Sequence, residues 1–198
     1  MAHLPSSIES VLQFWFGIPN TPDAHYSQRR RLWFGKHPEF DREIRDRFHS
    51  LYEQAANGEL EGWRDTPQGN LALILLLDQV PRNMFRNMPR AFATDTQALI
   101  IAKQSIAQHV DRALEPIQRI FIYLPLEHSE NLDDQHQSVQ LFEALVADTP
   151  DLADCLDYAQ RHQAIIERFG RFPHRNRILG RPSTPAEITF LQQPGSSF

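Results

Sequence analysis

Apolar residues recur along the chain at three- and four-residue steps, and the alternation a strand requires is nearly absent. Phe40, Ile44, Phe48, Leu51, Tyr52 and Ala55 form one stripe, opened near Pro38 and stopped by Gly58, which predicts a helix. Thr66 and Pro67 read as the N-cap and first residue of a second helix, apolar on every side from Leu71 to Leu77 and followed by Asp78. Such a helix belongs in the core, and Pro81 is expected to end it. Thr94 and Gln97 have capping-box spacing before a helix reaching about His109, with Leu99, Ala102, Ile106 and Val110 facing inward. Pro116 starts a short helix through Tyr123 that Pro125 is expected to halt. Leu132, Val139, Phe142 and Val146 mark the next helix. Leu152, Cys155 or Leu156, Ala159, Ile166 and Phe169 mark another, closed by Gly170. Thr184-Pro185-Ala186-Glu187 opens a short last helix as a capping box.

This pattern predicts an all-α fold of antiparallel helix pairs, arranged as a bundle or a tetratricopeptide-like α-solenoid. No internal repeat at a solenoid period is visible. The length suits one domain over 1–198. Within it, 1–36 reads as a helix and a polar loop (Pro19 to Lys36), 37–169 as the helical core, and 170–198 as an arginine-rich loop with a short C-terminal helix. Phe14-Trp15-Phe16 and Trp33-Phe34 either cap the open end of that core or form a partner face.

Composition narrows the function classes. The seven-residue run Leu71 to Leu77 is too short to span a bilayer, and Met1 to Phe16 lacks a basic start and carries Glu9, unlike a secretory signal. The expectation is a cytoplasmic protein with no membrane contact. A single cysteine, Cys155, excludes an internal disulfide framework and a cysteine zinc cluster. The net charge of −5 argues against a nucleic-acid partner. Its distribution is uneven. Arg161 to Arg181 carries six arginines against one acid, a net of +5, whereas Asp111 to Asp157 carries eleven acids against two arginines, a net of −9.

Several strings are specific: Phe14-Trp15-Phe16-Gly17, Leu76-Leu77-Asp78-Gln79-Val80-Pro81-Arg82-Asn83, Phe92-Ala93-Thr94-Asp95, and Tyr123-Leu124-Pro125-Leu126-Glu127-His128-Ser129-Glu130. They continue with His162, Arg168-Phe169-Gly170-Arg171-Phe172-Pro173-His174-Arg175-Asn176, Leu179-Gly180-Arg181 and Ser183-Thr184. In this order, and over nearly the whole chain, they resemble the family called domain of unknown function 924. The resemblance implies an uncharacterised bacterial-type helical protein with a fold similar to tetratricopeptide repeats, and no established activity. Glu127 departs from it, standing where an apolar or neutral residue precedes the histidine.

The residues themselves suggest two chemistries. Asp78, Gln79, Arg82 and Asn83 gather where the apolar helix should end, so they either satisfy one another and the last carbonyls or form one wall of a polar pocket. Arg168, Arg171, Arg175 and Arg181, with Asn176 beside them and Phe169 and Phe172 as walls, offer planar donors for a carboxylate or phosphate. The leading expectation is a binding module for a small anionic ligand or an acidic peptide or protein partner, with His128, Glu130, His162 and His174 completing the pocket. The alternative is a hydrolase-like acid/base enzyme using His128, Glu130 or His174 for proton transfer. A third possibility is internal neutralisation of the acidic segment by the basic one. Asp78, Arg82, Asn83, His128, Glu130, Arg171 and His174 are expected to converge. No metal site is expected from His-x-Glu spacing, and no cofactor, since no glycine-rich phosphate loop or nucleophile elbow is present. The sequence leaves the oligomeric state open.

Overall fold

The structure, a computed structural model, describes residues 6–197; the two ends of the 1–198 domain and the first residues of the Met1 to Phe16 segment lie outside them. It is all-helical, with no strand among the described residues. The helices are α1 (Ser6–Phe16), α2 (Tyr26–Phe34), α3 (Pro38–Ala56), α4 (Pro67–Ile74), α5 (Val80–Met84), α6 (Asp95–Ala107), α7 (Pro116–Glu127), α8 (Leu132–Asp148), α9 (Ala153–Phe169) and α10 (Pro185–Leu191). Helices α6, α7, α8 and α9 pack on one another in chain order, and α4 lies against α1, α6 and α7. No helix among the described residues is long and apolar enough to cross a membrane.

One apolar core runs from Ile8 on α1 to Ala159 on α9. The apolar stripe of α3 enters it as its spacing predicts, with Phe40, Ile44, Phe48, Tyr52 and Ala55 buried. Every residue from Gly69 to Gln79 is buried, so the all-round apolar helix is indeed central. Its start needs glycine: a Cβ on Gly69 would lie 1.8 Å from the carbonyl oxygen of Trp63, which packs across the first turn. On α6 the buried face is Ala98, Ile101, Ala102 and Ser105. Leu99, Ile106 and Val110 are only half-buried, a rotation from the expected face. A second small cluster, Ile165, Ile166 and Phe172 with Phe169 and Phe190, fastens the C-terminal loop and α10 to the end of α9.

Both internal prolines behave differently from the expectation. The chain does not leave the helix at Pro81. A π-helical turn, Leu75–Gln79, intervenes, the Val80 N–H bonds Leu75 O five residues back, and Pro81 becomes the second residue of α5. A proline at 81 cannot donate to the carbonyl four residues back, that of Leu77. The Thr94 hydroxyl donates to it instead. Thr94 is therefore spent there and places no side-chain cap on α6, and Gln97 bonds Ala56 O at 3.0 Å rather than closing a capping box. Pro125 likewise sits inside α7, which ends two residues later. Carbonyls of that end are gathered by the buried amide of Gln135, whose Nε2 donates to Leu126 O, Glu127 O and Ser129 O at 3.3, 2.6 and 2.7 Å. The remaining caps match the sequence: Thr66 accepts from Gly69 N–H, Gly170 ends α9 at φ 68°, and Thr184 with Glu187 forms the capping box of α10.

Half of the segment Pro19 to Lys36 is helix α2 rather than loop. It buries only Arg29 and Trp33, so no apolar stripe announces it. Tertiary bonds hold it instead: Trp33 Nε1 donates to Trp15 O at 2.9 Å, Arg29 bonds Phe14 O and Asp23, and the Tyr26 hydroxyl bonds Asp154 at 2.9 Å beside the Cys155 thiol. Trp15, Phe16 and Trp33 are core residues, while Phe34 remains 48% exposed.

Candidate functional site

The C-terminal end of α7 faces the π-helical turn, and there the polar residues of the core meet. Asp78, on the π turn, is 0% exposed. One of its carboxylate oxygens lies 2.8 Å from His128 Nδ1 and 3.5 Å from an Arg82 nitrogen, and the other accepts from Gln79 Nε2 at 2.6 Å. Burial pushes the Asp78 carboxyl upward, but His128 and Arg82 outweigh it and hold the group below the usual carboxylate range. The acid closest to Arg82 is a residue the sequence did not single out, Asp95 at the start of α6. It accepts two parallel bonds from Arg82, 2.8 and 3.0 Å long. Arg82 also bonds Ala91 O.

Arg175 completes this group from the C-terminal loop. Its Nη1 donates to His128 O at 3.1 Å, another carbonyl of the α7 terminus, and stands 3.6 Å from Asp95. Its guanidinium lies over the rings of Phe92 and Phe172, 4.8 and 4.6 Å from their centroids, and Arg82 lies 4.8 Å from the Phe92 centroid. Burial, then repulsion from Arg82, bring the Arg175 pKa down to about 10. His174 is beside Phe172, with ring centroids 5.6 Å apart, and burial followed by Arg175 and Arg82 lowers its pKa to about 4.

Behind His128 lies a buried pair, Glu127 and His162, with Nδ1 of the histidine 3.1 Å from the carboxyl oxygen and 2.8 Å from Tyr158 O. Burial, then the negative charge of Asp78, raise the Glu127 pKa to about 8. Burial pushes His162 well below its ordinary value. The His128 and His162 ring centroids are 6.4 Å apart.

The other candidates bind elsewhere. Asn83 leaves the cluster and bonds Asp41 at 2.8 Å, beside Arg86, which grips the same carboxylate. Glu130 accepts the Phe172 N–H at 2.8 Å and both terminal nitrogens of Arg181 at 2.6 and 2.9 Å. The buried Asn176 accepts from Arg181 Nε at 3.0 Å and donates to the Ser183 hydroxyl. Arg171 makes a two-pronged contact with Glu187, at 2.7 and 2.9 Å, and bonds Pro182 O. Arg168 lies over Phe169 and Phe190. The structure thus brings Asp78, Gln79, Arg82, His128, His162, His174 and Arg175 together, sets Glu130, Asn176 and Arg181 on the adjoining loop, and turns Asn83, Arg168 and Arg171 to other partners. Phe92 and Asp95 were missed because neither the helix-end argument nor the arginine run reaches them; their string Phe92-Ala93-Thr94-Asp95 was the available signal. Among the described residues, no three of the histidine, cysteine, aspartate and glutamate side chains are grouped so as to hold a metal ion.

A solved structure, that of the protein of unknown function ATU0120 from Agrobacterium tumefaciens, is similar at a TM-score of 0.80 and 37% identity, over 93% of this chain and 96% of that one. No curated protein matches. The family model described as a bacterial protein of unknown function, DUF924, matches residues 11–195 and takes in every residue of the cluster, and the chain belongs to that family.

Proposed function

We propose that the chain is a binding module for a small anionic ligand, a carboxylate or a phosphate, including the acidic side chain of a peptide, held where His128, His174 and Arg175 meet. One observation carries this reading: the incomplete pairing of Arg175. It is 6% exposed, and among the described residues its Nε is buried without a hydrogen-bond partner and its only carboxylate contact is Asp95 at 3.6 Å. Arg82, Arg171 and Arg181 are each gripped at two points by an acid. A buried guanidinium short of acceptors is a place where an anion gains hydrogen bonds without displacing an existing partner. Arg82, Arg171 and Arg181 neutralise acids of the chain itself. The chain-order packing of α6 to α9 supports a tetratricopeptide-like stacking of helix pairs.

Thermal melts in inorganic phosphate, succinate and phosphoserine test the reading. At about a hundredfold excess over Kd, a ligand adds roughly 2.7 kcal/mol, or about 5–10 °C for a chain of this size. Arg175→Gln is expected to abolish the shift and Arg171→Gln to leave it unchanged. Equal shifts in both variants, or none in the parent protein, would overturn the reading.

A further inference from the structure

We propose that His128 is a catalytic residue, a general base for a small anionic substrate, with Asp78 as the positioning residue behind it. The inference rests on the anion reading above and adds a proton-transfer step to it.

The geometry is that of an aimed imidazole. An ionised carboxylate can only accept, so the 2.8 Å contact puts the ring proton of neutral His128 on Nδ1 and the lone pair on Nε2. Among the described residues none hydrogen-bonds Nε2, and 15% of the His128 side chain remains exposed. Gln79 and Arg82 also contact the Asp78 carboxylate, so the histidine is not its sole partner. The ring sits at the C-cap of α7. The His128 carbonyl binds Arg175, so the base and the proposed anion holder share one helix end.

In the step, Nε2 takes the proton of a water or substrate hydroxyl held beside the bound anion. The O–H electron pair stays on oxygen, which attacks the carbonyl carbon or phosphorus of the substrate; as that bond forms, the bond from the same atom to the leaving group breaks with its electron pair on the departing atom, and the proton held on Nε2, its charge balanced by Asp78, passes to that atom. No oxidant, reductant or metal enters the balance.

Carbethoxylation of the native protein by diethyl pyrocarbonate, followed by peptide mass spectrometry, reads the lone pair directly. His25 and His109 are exposed and serve as internal standards. At pH 7, His128 is expected to react about fivefold faster than either despite its burial, with inorganic phosphate slowing it. Asp78→Asn should bring its rate down to the standards and shift the pH profile of that rate. The ranking in the parent protein decides the matter even where that variant does not fold. A His128 rate at or below the standards overturns the proposal and leaves anion binding standing. A fast rate that phosphate does not slow overturns the anion reading and leaves the reactive histidine.

Discussion

Glu127 carries a carboxyl that is 3% exposed and flanked by the negative charge of Asp78, with His162 as its neighbour across α9. Its folded-state pKa, about 8, stands above the ordinary carboxylate value of 4.5. Because the folded form binds the proton more tightly, this group's contribution is complete below about pH 4.5 and is lost as pH rises through 8. Glu127→Gln keeps the shape and removes the ionisation. It should raise the melting temperature at pH 8.5, by an amount on the order of 3 kcal/mol in stability, and change little at pH 5. Equal effects at the two pH values would show that ionisation of Glu127 costs the fold nothing. The sequence marked this position only as a departure from the family pattern. It could not show burial, because Glu127 adjoins a proline expected to end the helix, and a helix end is where a carboxylate ordinarily meets solvent. His128 and Asp78 were legible, not as a pair but as polar helix-end residues expected in one pocket. Asp95 was not, because its link to Arg82 depends on how the turn between α5 and α6 closes.

At the scale of elements, three caps and the prolines at helix starts followed the local rules, whereas the Thr94–Gln97 capping box and the two internal prolines did not. Thr66-Pro67, Gly170 and Thr184-Pro185-Ala186-Glu187 act locally, through bonds within four residues, so their outcome is written in the local sequence. Pro81 is overruled from outside its own helix: the Thr94 hydroxyl donates to Leu77 O, seventeen residues back in the chain. That compensation makes a coupled prediction. Thr94→Val should cost about 1–3 kcal/mol by leaving a buried carbonyl without a donor. In a Pro81→Ala background the new N–H at 81 can serve Leu77 O, so the same substitution should cost markedly less. Urea denaturation of the four proteins gives the coupling energy. A cost of Thr94→Val that is identical in both backgrounds would mean the hydroxyl does not stand in for the missing amide. Helix α2 was illegible for a related reason: it is held by Trp33, Arg29 and Tyr26 bonding to α1 and α9, and its own periodicity is weak.

Across the whole molecule, the basic segment and the acidic segment do meet, through a few defined contacts rather than as two diffuse charges. Arg181 grips Glu130 at the entry to α8, and the same carboxylate holds the Phe172 N–H, so one acid fixes both ends of the loop between α9 and α10. Arg175 anchors the middle of that loop to His128 O and Asp95. Diffuse neutralisation would make all acids of the segment interchangeable and strongly salt-sensitive, whereas a half-buried two-pronged contact is specific to its residue and screened less. Glu130→Ala should therefore accelerate hydrogen exchange at the Phe172 amide by at least about tenfold, consistent with loss of its acceptor and local opening of the loop. Amides of α4 and α7 should keep their protection, since the main core does not depend on this contact. Asp133→Ala removes an equal charge from an exposed site three residues along and should leave Phe172 unchanged. If the two variants loosen the loop equally, the clamp is a bulk charge effect. If only Glu130→Ala does so, the loop that presents His174 and Arg175 is positioned by a single carboxylate, and the candidate site can be opened without unfolding the helices that carry Asp78 and His128.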